Sequence, residues 1–186
     1  MKIIDRFKIS EPALLGMIAI LVGLGSGVGV WLFKSLIDLI HMLVYEKASA
    51  LIPIASSWGV FWAPIGGGLI VGLLLRYFIG EERHHGVAGI IEAVALAGGR
   101  LRYRRMPMKA VAAAISIGSG ASVGPEDPSV QIGANIGSLA GQRLRLSDER
   151  TRSFVAAGAA GAIAAAFNAP IAGVFFAIEI IMGDFS

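Results

Sequence analysis

Two adjacent carboxylates, Glu126 and Asp127, stand in the run Gly124-Pro125-Glu126-Asp127-Pro128, with apolar sequence on both sides. One glycine and two prolines interrupt any helix that enters this run, so the acidic pair opens a new one. A helix begins with backbone N–H groups that have no partner inside it, and its dipole places partial positive charge at the same end. Such a terminus attracts anions. A carboxylate there is either a helix cap or a competitor for a seat that a mobile anion also uses. In apolar surroundings an ionisable group costs at least ~2.5 kcal/mol and is by default a functional candidate, which favours the competitor reading for Glu126. Asp127 reads as ordinary charge compensation in a first helical turn.

A second candidate terminus is His84-His85-Gly86-Val87-Ala88, where Gly86 permits close backbone approach and a short apolar helix follows. His84 and His85 beside Glu81 and Glu82 do not make a metal site, because adjacent side chains diverge and no His-x-x-x-His spacing accompanies them. They read as a polar loop at a membrane edge. The run Gly118-Ser119-Gly120 lacks the Gly-Lys-Ser/Thr of a phosphate-binding loop. No cysteine is present, which excludes a disulfide framework, a thiolate metal site and a cysteine nucleophile. An acid/base enzyme built on Glu126 and Asp127 is disfavoured, since neighbours in a helix point apart and no nucleophile or metal ligand joins them. No enzymatic activity, metal or cofactor is expected.

The elements that position these residues belong in lipid. Of 186 residues, 55% are hydrophobic and 16% charged, well away from the balance of soluble domains. The 25 glycines suit membrane helices that pack backbone to backbone. A net charge of +3, carried in short runs between apolar stretches, points to orienting loops and not to nucleic acid. Lys2, Arg6 and Lys8 precede the first apolar stretch, which has no small-residue cleavage site, so a removable signal peptide is not expected.

Residues 12–33 supply about 22 uncharged positions, enough for one span, and the helix is expected to continue past Lys34 and Asp38. Residues 48–75 supply about 28, with a turn at Pro53 and Ser56-Ser57 before the returning helix. A polar loop at 76–85 leads to residues 87–97, about 11 positions and too short to cross. The basic runs 100–109 and 143–152 flank about 33 mostly apolar residues, and the positive-inside rule assigns both runs to the cytoplasm. That segment must therefore turn round inside the membrane as two half-helices, with the break at 124–128 near the midplane. Residues 153–182 are punctuated by Phe167-Asn168-Ala169-Pro170, where Asn168 is expected to cap a new helix with Pro170 in its first turn. Irregular backbone at membrane depth is tolerated where it lines an aqueous cavity, and broken helices point to an ion site. The expectation is an all-α integral membrane protein, one membrane domain over 1–186, with a cytoplasmic N-terminus.

Two motifs carry a family resemblance. Gly120-x-x-x-Gly124-Pro125-Glu126-Asp127-Pro128-x-Val130-Gln131-Ile132-Gly133 resembles the G-x-x-x-G-(K/R/P)-E-G-P signature of the CLC chloride channel and transporter family. The stretch from Gly158 through Phe167-Asn168-Ala169-Pro170 to Gly173 resembles the same family's G-A-A-A-G-(L/I)-A-A-A-F-N-A-P-(L/I)-A-G run. The resemblance implies the first of two inverted repeats, with re-entrant half-helices whose termini meet to bind chloride. It implies that Glu126 is the gating glutamate, able to carry a proton, and that His85, Gly86, Val87, Gly124 and Asp127 form the anion-binding set. His85 stands where a serine is usual, and Asp127 where glycine is usual. Ile180 stands where proton-coupled exchangers carry a proton-transfer glutamate, which favours passive chloride conduction. The alternatives are a proton-coupled chloride antiporter and a fragment without transport activity. The implied partners are chloride or a related anion, the bilayer of a plasma or inner membrane, a C-terminal half that this sequence does not contain, and a second subunit in a homodimer.

Overall fold

The computed structural model describes residues 11–47, 55–80 and 86–183; within them every regular element is helical. Lys2, Arg6, Lys8, Pro53, His84 and the anion-site candidate His85 lie outside the described residues.

Helix α1 runs over Glu11–His41 and ends in a π-helical turn, Met42–Lys47. Its 31 residues reach roughly 46 Å at 1.5 Å per residue, more than a hydrocarbon core of ~30 Å. Only the stripe Val22, Ser26, Val30 and Phe33 is buried, a spacing that keeps all four on one side. Ile20, Leu21, Leu24, Val28, Trp31 and Leu32 are exposed on the rest of the surface, where an aqueous solvent would penalise them and lipid does not. Ser26 is fully buried and donates its hydroxyl to the Val22 carbonyl at 2.7 Å, so its polarity is absorbed within the helix. Helix α2, Ala55–Leu74, contains Pro64 and passes into a second π-helical turn, Leu75–Ile79. The polar loop expected from residue 76 therefore begins later: Ile79 is still in the turn, is buried, and accepts a 2.8 Å hydrogen bond from Arg105 Nη1 on its carbonyl. By length and composition, Glu11–Glu46 and Phe61–Ile79 are the two stretches able to cross a membrane among the described residues.

Helix α3, Gly86–Leu96, is short, as expected. The segment between the basic runs is a helical hairpin of α4, Met106–Gly118, and α5, Glu126–Arg143. The expected break is present, but the halves are unequal: 13 residues give α4 about 20 Å and 18 give α5 about 27 Å. Helix α6, Asp148–Phe167, and helix α7, Pro170–Phe176, follow, the latter extended by a π-helical turn at Ala177–Met182. Asn168 does not cap α7. It ends α6 in the left-handed region at φ 54, as a short polar residue can, while Ala169 takes the N-cap of α7 without a side-chain bond and Pro170 follows at its first position.

Glycines explain the centre of the fold. In α5, Gly133, Gly137 and Gly141 recur every four residues and so share one face, which lies on α6. A Cβ at Gly133 would run into the Gly158 carbonyl, one at Gly137 into the Phe154 carbonyl, and one at Gly158 into the Gly133 carbonyl. Only backbone without a side chain allows this approach, and Val130, Ala134, Val155, Ala159 and Ile163 close over the seam.

The ends of the elements sort by side. Arg100 pairs with Asp148 at 2.9 Å, Arg150 with Glu11 at 2.6 Å, and Gln142 donates to the Leu101 carbonyl at 3.0 Å. The two basic runs and the start of α1 therefore share one face, and the 119–125 break lies away from it. The break rests on the C-terminal end of α1 and not on its middle: Gly118 packs against Ile37 and Ile40, and the Tyr45 hydroxyl donates to the Ser119 carbonyl at 2.9 Å.

Candidate anion site at two helix termini

The start of α5 is built for a small number of exposed donors. Pro125 is its N-cap and supplies no side-chain bond. Pro125 and Pro128 have no N–H, and the Ser129 N–H is taken by the Pro125 carbonyl at 3.0 Å, with the Ser129 hydroxyl on the same oxygen at 2.7 Å. The amides of Glu126 and Asp127 are what remains of the terminus, at the positive end of an 18-residue helix.

Glu126 is the first residue of α5 and exposed, and its carboxylate turns back over Gly124. A Cβ at Gly124 would collide with that carboxylate, so the folded-back position depends on glycine two residues earlier. The negative group thus lies at the head of its own helix.

Asp127 behaves differently. Its Oδ1 accepts the Val87 N–H at 2.8 Å, in the first turn of α3, and its Oδ2 accepts Gln131 Nε2 at 2.7 Å. Gly86 adopts φ +72, a left-handed conformation that glycine takes without strain, and a Cβ there would come within 2.6 Å of Asp127 Oδ1. The two candidate termini, forty residues apart in sequence, are joined by one carboxylate. Gly86, Val87, Gly124, Glu126 and Asp127 are brought together.

Two cavities flank the junction. One of about 440 Å³ is lined by Val71, Gly86, Ala112, Gly124, Asp127 and Gln131, among others. The other, of about 490 Å³, includes Gly86, Glu92, Arg100, Arg102, Lys109 and Asn135 and extends to the face of the basic runs. Gly86, Met106, Lys109 and Gln131 line both. Local sequence pattern does not single out Lys109 or Gln131. Lys109 closes a basic run in sequence yet lies within α4; Gln131 stands four residues after Asp127, the spacing of a facing helical pair.

Ile180 lies in the last π-helical turn, where Ala177 and Ile181 face the core while Ile180 is 40% exposed; neighbouring Glu179 is exposed too. Basic groups lining one cavity, unpaired helix amides and one folded-back carboxylate can hold and release a small anion.

Known proteins resemble this chain. Residues 67–186 match the model of a family described as voltage gated chloride channel. Chloride channel protein CLC-e of Arabidopsis thaliana is 36% identical over 176 residues, which covers 88% of this chain and 24% of that protein. The H(+)/Cl(-) exchange transporter ClcA of Klebsiella pneumoniae is 34% identical over 190 residues, covering 99% of this chain and 39% of that one. Among solved structures, a slow cyanobacterial Cl-/H+ antiporter superposes with a TM-score of 0.70 at 29% identity, over 88% of this chain and 39% of the other. The chain thus spans between about a quarter and two fifths of the length of these relatives. With a family match running from residue 67 to residue 186 and the same helical arrangement in a solved relative, this chain belongs to the voltage gated chloride channel (CLC) family of membrane proteins.

Proposed function

We propose that this chain forms the first half of a chloride channel, in which Glu126 gates an anion path between the head of α5 and the basic face. The observation that carries the reading is the Glu126 carboxylate folded over Gly124 at its own helix terminus, in the seat a halide would take. Protonation or withdrawal of that carboxylate opens the seat. The backbone around Gly86, Val87, Gly124 and Asp127, together with His85, forms the anion-binding set, save that the Val87 N–H itself is taken by the Asp127 carboxylate, and chloride is the cargo with no cofactor required.

The chain acts as one membrane domain together with a second, inverted half and a second subunit, in a plasma or inner membrane. The face that gathers the start of α1 and both basic runs is cytoplasmic, in keeping with the positive-inside rule. Transport involves no bond-breaking chemistry, so the activity is not enzymatic.

Proton-coupled antiport is the second reading, favoured by similarity to the Klebsiella exchanger and to the cyanobacterial antiporter. Ile180 speaks for passive flow, because an aliphatic side chain cannot accept a proton.

The test is chloride efflux from liposomes carrying the complete protein. Glu126→Gln and Glu126→Ala should raise flux several-fold and flatten its pH dependence, since both remove the competing charge. Unchanged flux at every pH rejects Glu126 as the gate.

A further inference from the structure

We propose that Asp127 is a tethered anion, fixed in the amide seat of α3, which keeps a mobile anion off that terminus and thereby sets anion affinity. The inference rests on the chloride-path reading above and goes beyond it, because it assigns a second carboxylate a different task from the gate.

An ordinary first-turn carboxylate compensates the dipole of its own helix. Asp127 instead spends Oδ1 on the Val87 N–H of α3, at 2.8 Å. This is a charge-assisted bond to the donor that an anion at the same terminus would need. Its other oxygen is held by Gln131 at 2.7 Å, one turn along α5, so the side chain is secured at both oxygens. Left-handed Gly86, with no room for a Cβ beside Oδ1, lets the backbone of α3 come up to the carboxylate.

The same carboxylate lines the 440 Å³ cavity with Gly86, Gly124 and Gln131, so its charge faces the space an anion would cross. Of the two termini at this junction, α3 has its Val87 N–H taken by Asp127, while the head of α5 is left to the gating Glu126 carboxylate. Asp127 is consequently an affinity-determining residue, and it clasps α3 to α5 at the same time.

The experiment measures chloride binding to the purified complete protein by titration calorimetry, for wild type, Asp127→Asn and Asp127→Gly. Asp127→Gly frees the Val87 N–H and removes the charge, and should lower the chloride Kd about tenfold. Asp127→Asn removes the charge while keeping an acceptor for Val87, and should fall between the two. A purely structural clasp predicts a lower melting temperature with no gain in affinity. Either variant binding chloride no more tightly than wild type while remaining monodisperse overturns the proposal; if Asp127→Gly fails to fold, the isosteric Asp127→Asn decides alone. Glu126→Gln, run alongside in the flux assay, separates the two ideas. Altered flux in Glu126→Gln with unchanged Kd in the Asp127 variants rejects the tether and leaves the gate standing. A tightened Kd in the Asp127 variants with unaltered flux in Glu126→Gln supports the tether and rejects the gate.

Discussion

The contact between α5 and α6 determines where the carboxylate-bearing terminus sits, and Gly133→Ala probes it directly. A methyl at this position meets the Gly158 carbonyl, a backbone atom that cannot swing aside, and lies 2.7 Å from the Ala162 Cβ. Ordinary carbon contacts are ~3.5–4.0 Å, so the two helices must part by roughly 1 Å. A gap of that size forfeits a quarter to a half of each dispersion contact along the seam, which here includes Val130, Ala134, Val155 and Ala159. Overpacking of a tight core costs about 1–3 kcal/mol, and a backbone obstacle places this case near the top. Replacing glycine by alanine within a helix returns about 1 kcal/mol of propensity, leaving a net loss of roughly 2 kcal/mol. Gly16 in α1 is the matched control: nothing lies within 4 Å of its added Cβ, so Gly16→Ala keeps the propensity gain and meets no obstacle. Thermal unfolding of the complete protein in detergent, followed by size-exclusion chromatography with tryptophan fluorescence, should rank Gly133→Ala below wild type and Gly16→Ala at or above it. If Gly133→Ala melts with or above wild type, the claim that bare backbone contact holds α5 in place is wrong.

Further expectations follow from other parts of the chain. Ser138 is fully buried, accepts the Leu101 N–H at 2.8 Å and donates to the Gly99 carbonyl at 2.6 Å, so Ser138→Ala should cost about 1–3 kcal/mol and speed hydrogen exchange at Leu101. Lys34 Nζ donates to the Ala166 carbonyl at 2.7 Å, near the C-terminal end of α6, and Lys34→Met should lower stability by about 1.5–3 kcal/mol in the same detergent melt. With Ile180 in place of an acid, a chloride gradient should drive no uphill proton movement in liposomes; stoichiometric proton pumping would show that the chain belongs to an exchanger.

Local pattern alone was enough to read much of this protein. Apolar runs of spanning length, a basic run on each side of a broken one, and the glycine-proline interruption at 124–128 determine a helical membrane chain with a hairpin and a terminus headed by Glu126. These are properties of neighbours in sequence: desolvation makes the spans, and missing N–H groups make the break. Boundaries were less legible, because packing carries α2 through Arg76 to Ile79 and makes Asn168 the left-handed end of α6. What only the tertiary structure decided is contact at long range. Sequence reading made Asp127 a routine compensator of its own helix, whereas the glycine-mediated approach of α5 to its neighbours brings Gly86 alongside and turns that carboxylate to Val87. Likewise Lys109 and Gln131 meet two cavities only because α3, α4 and α5 converge there. Periodicity along a chain says which residues share a face; which faces then come within 3 Å depends on backbone approach summed over the whole fold.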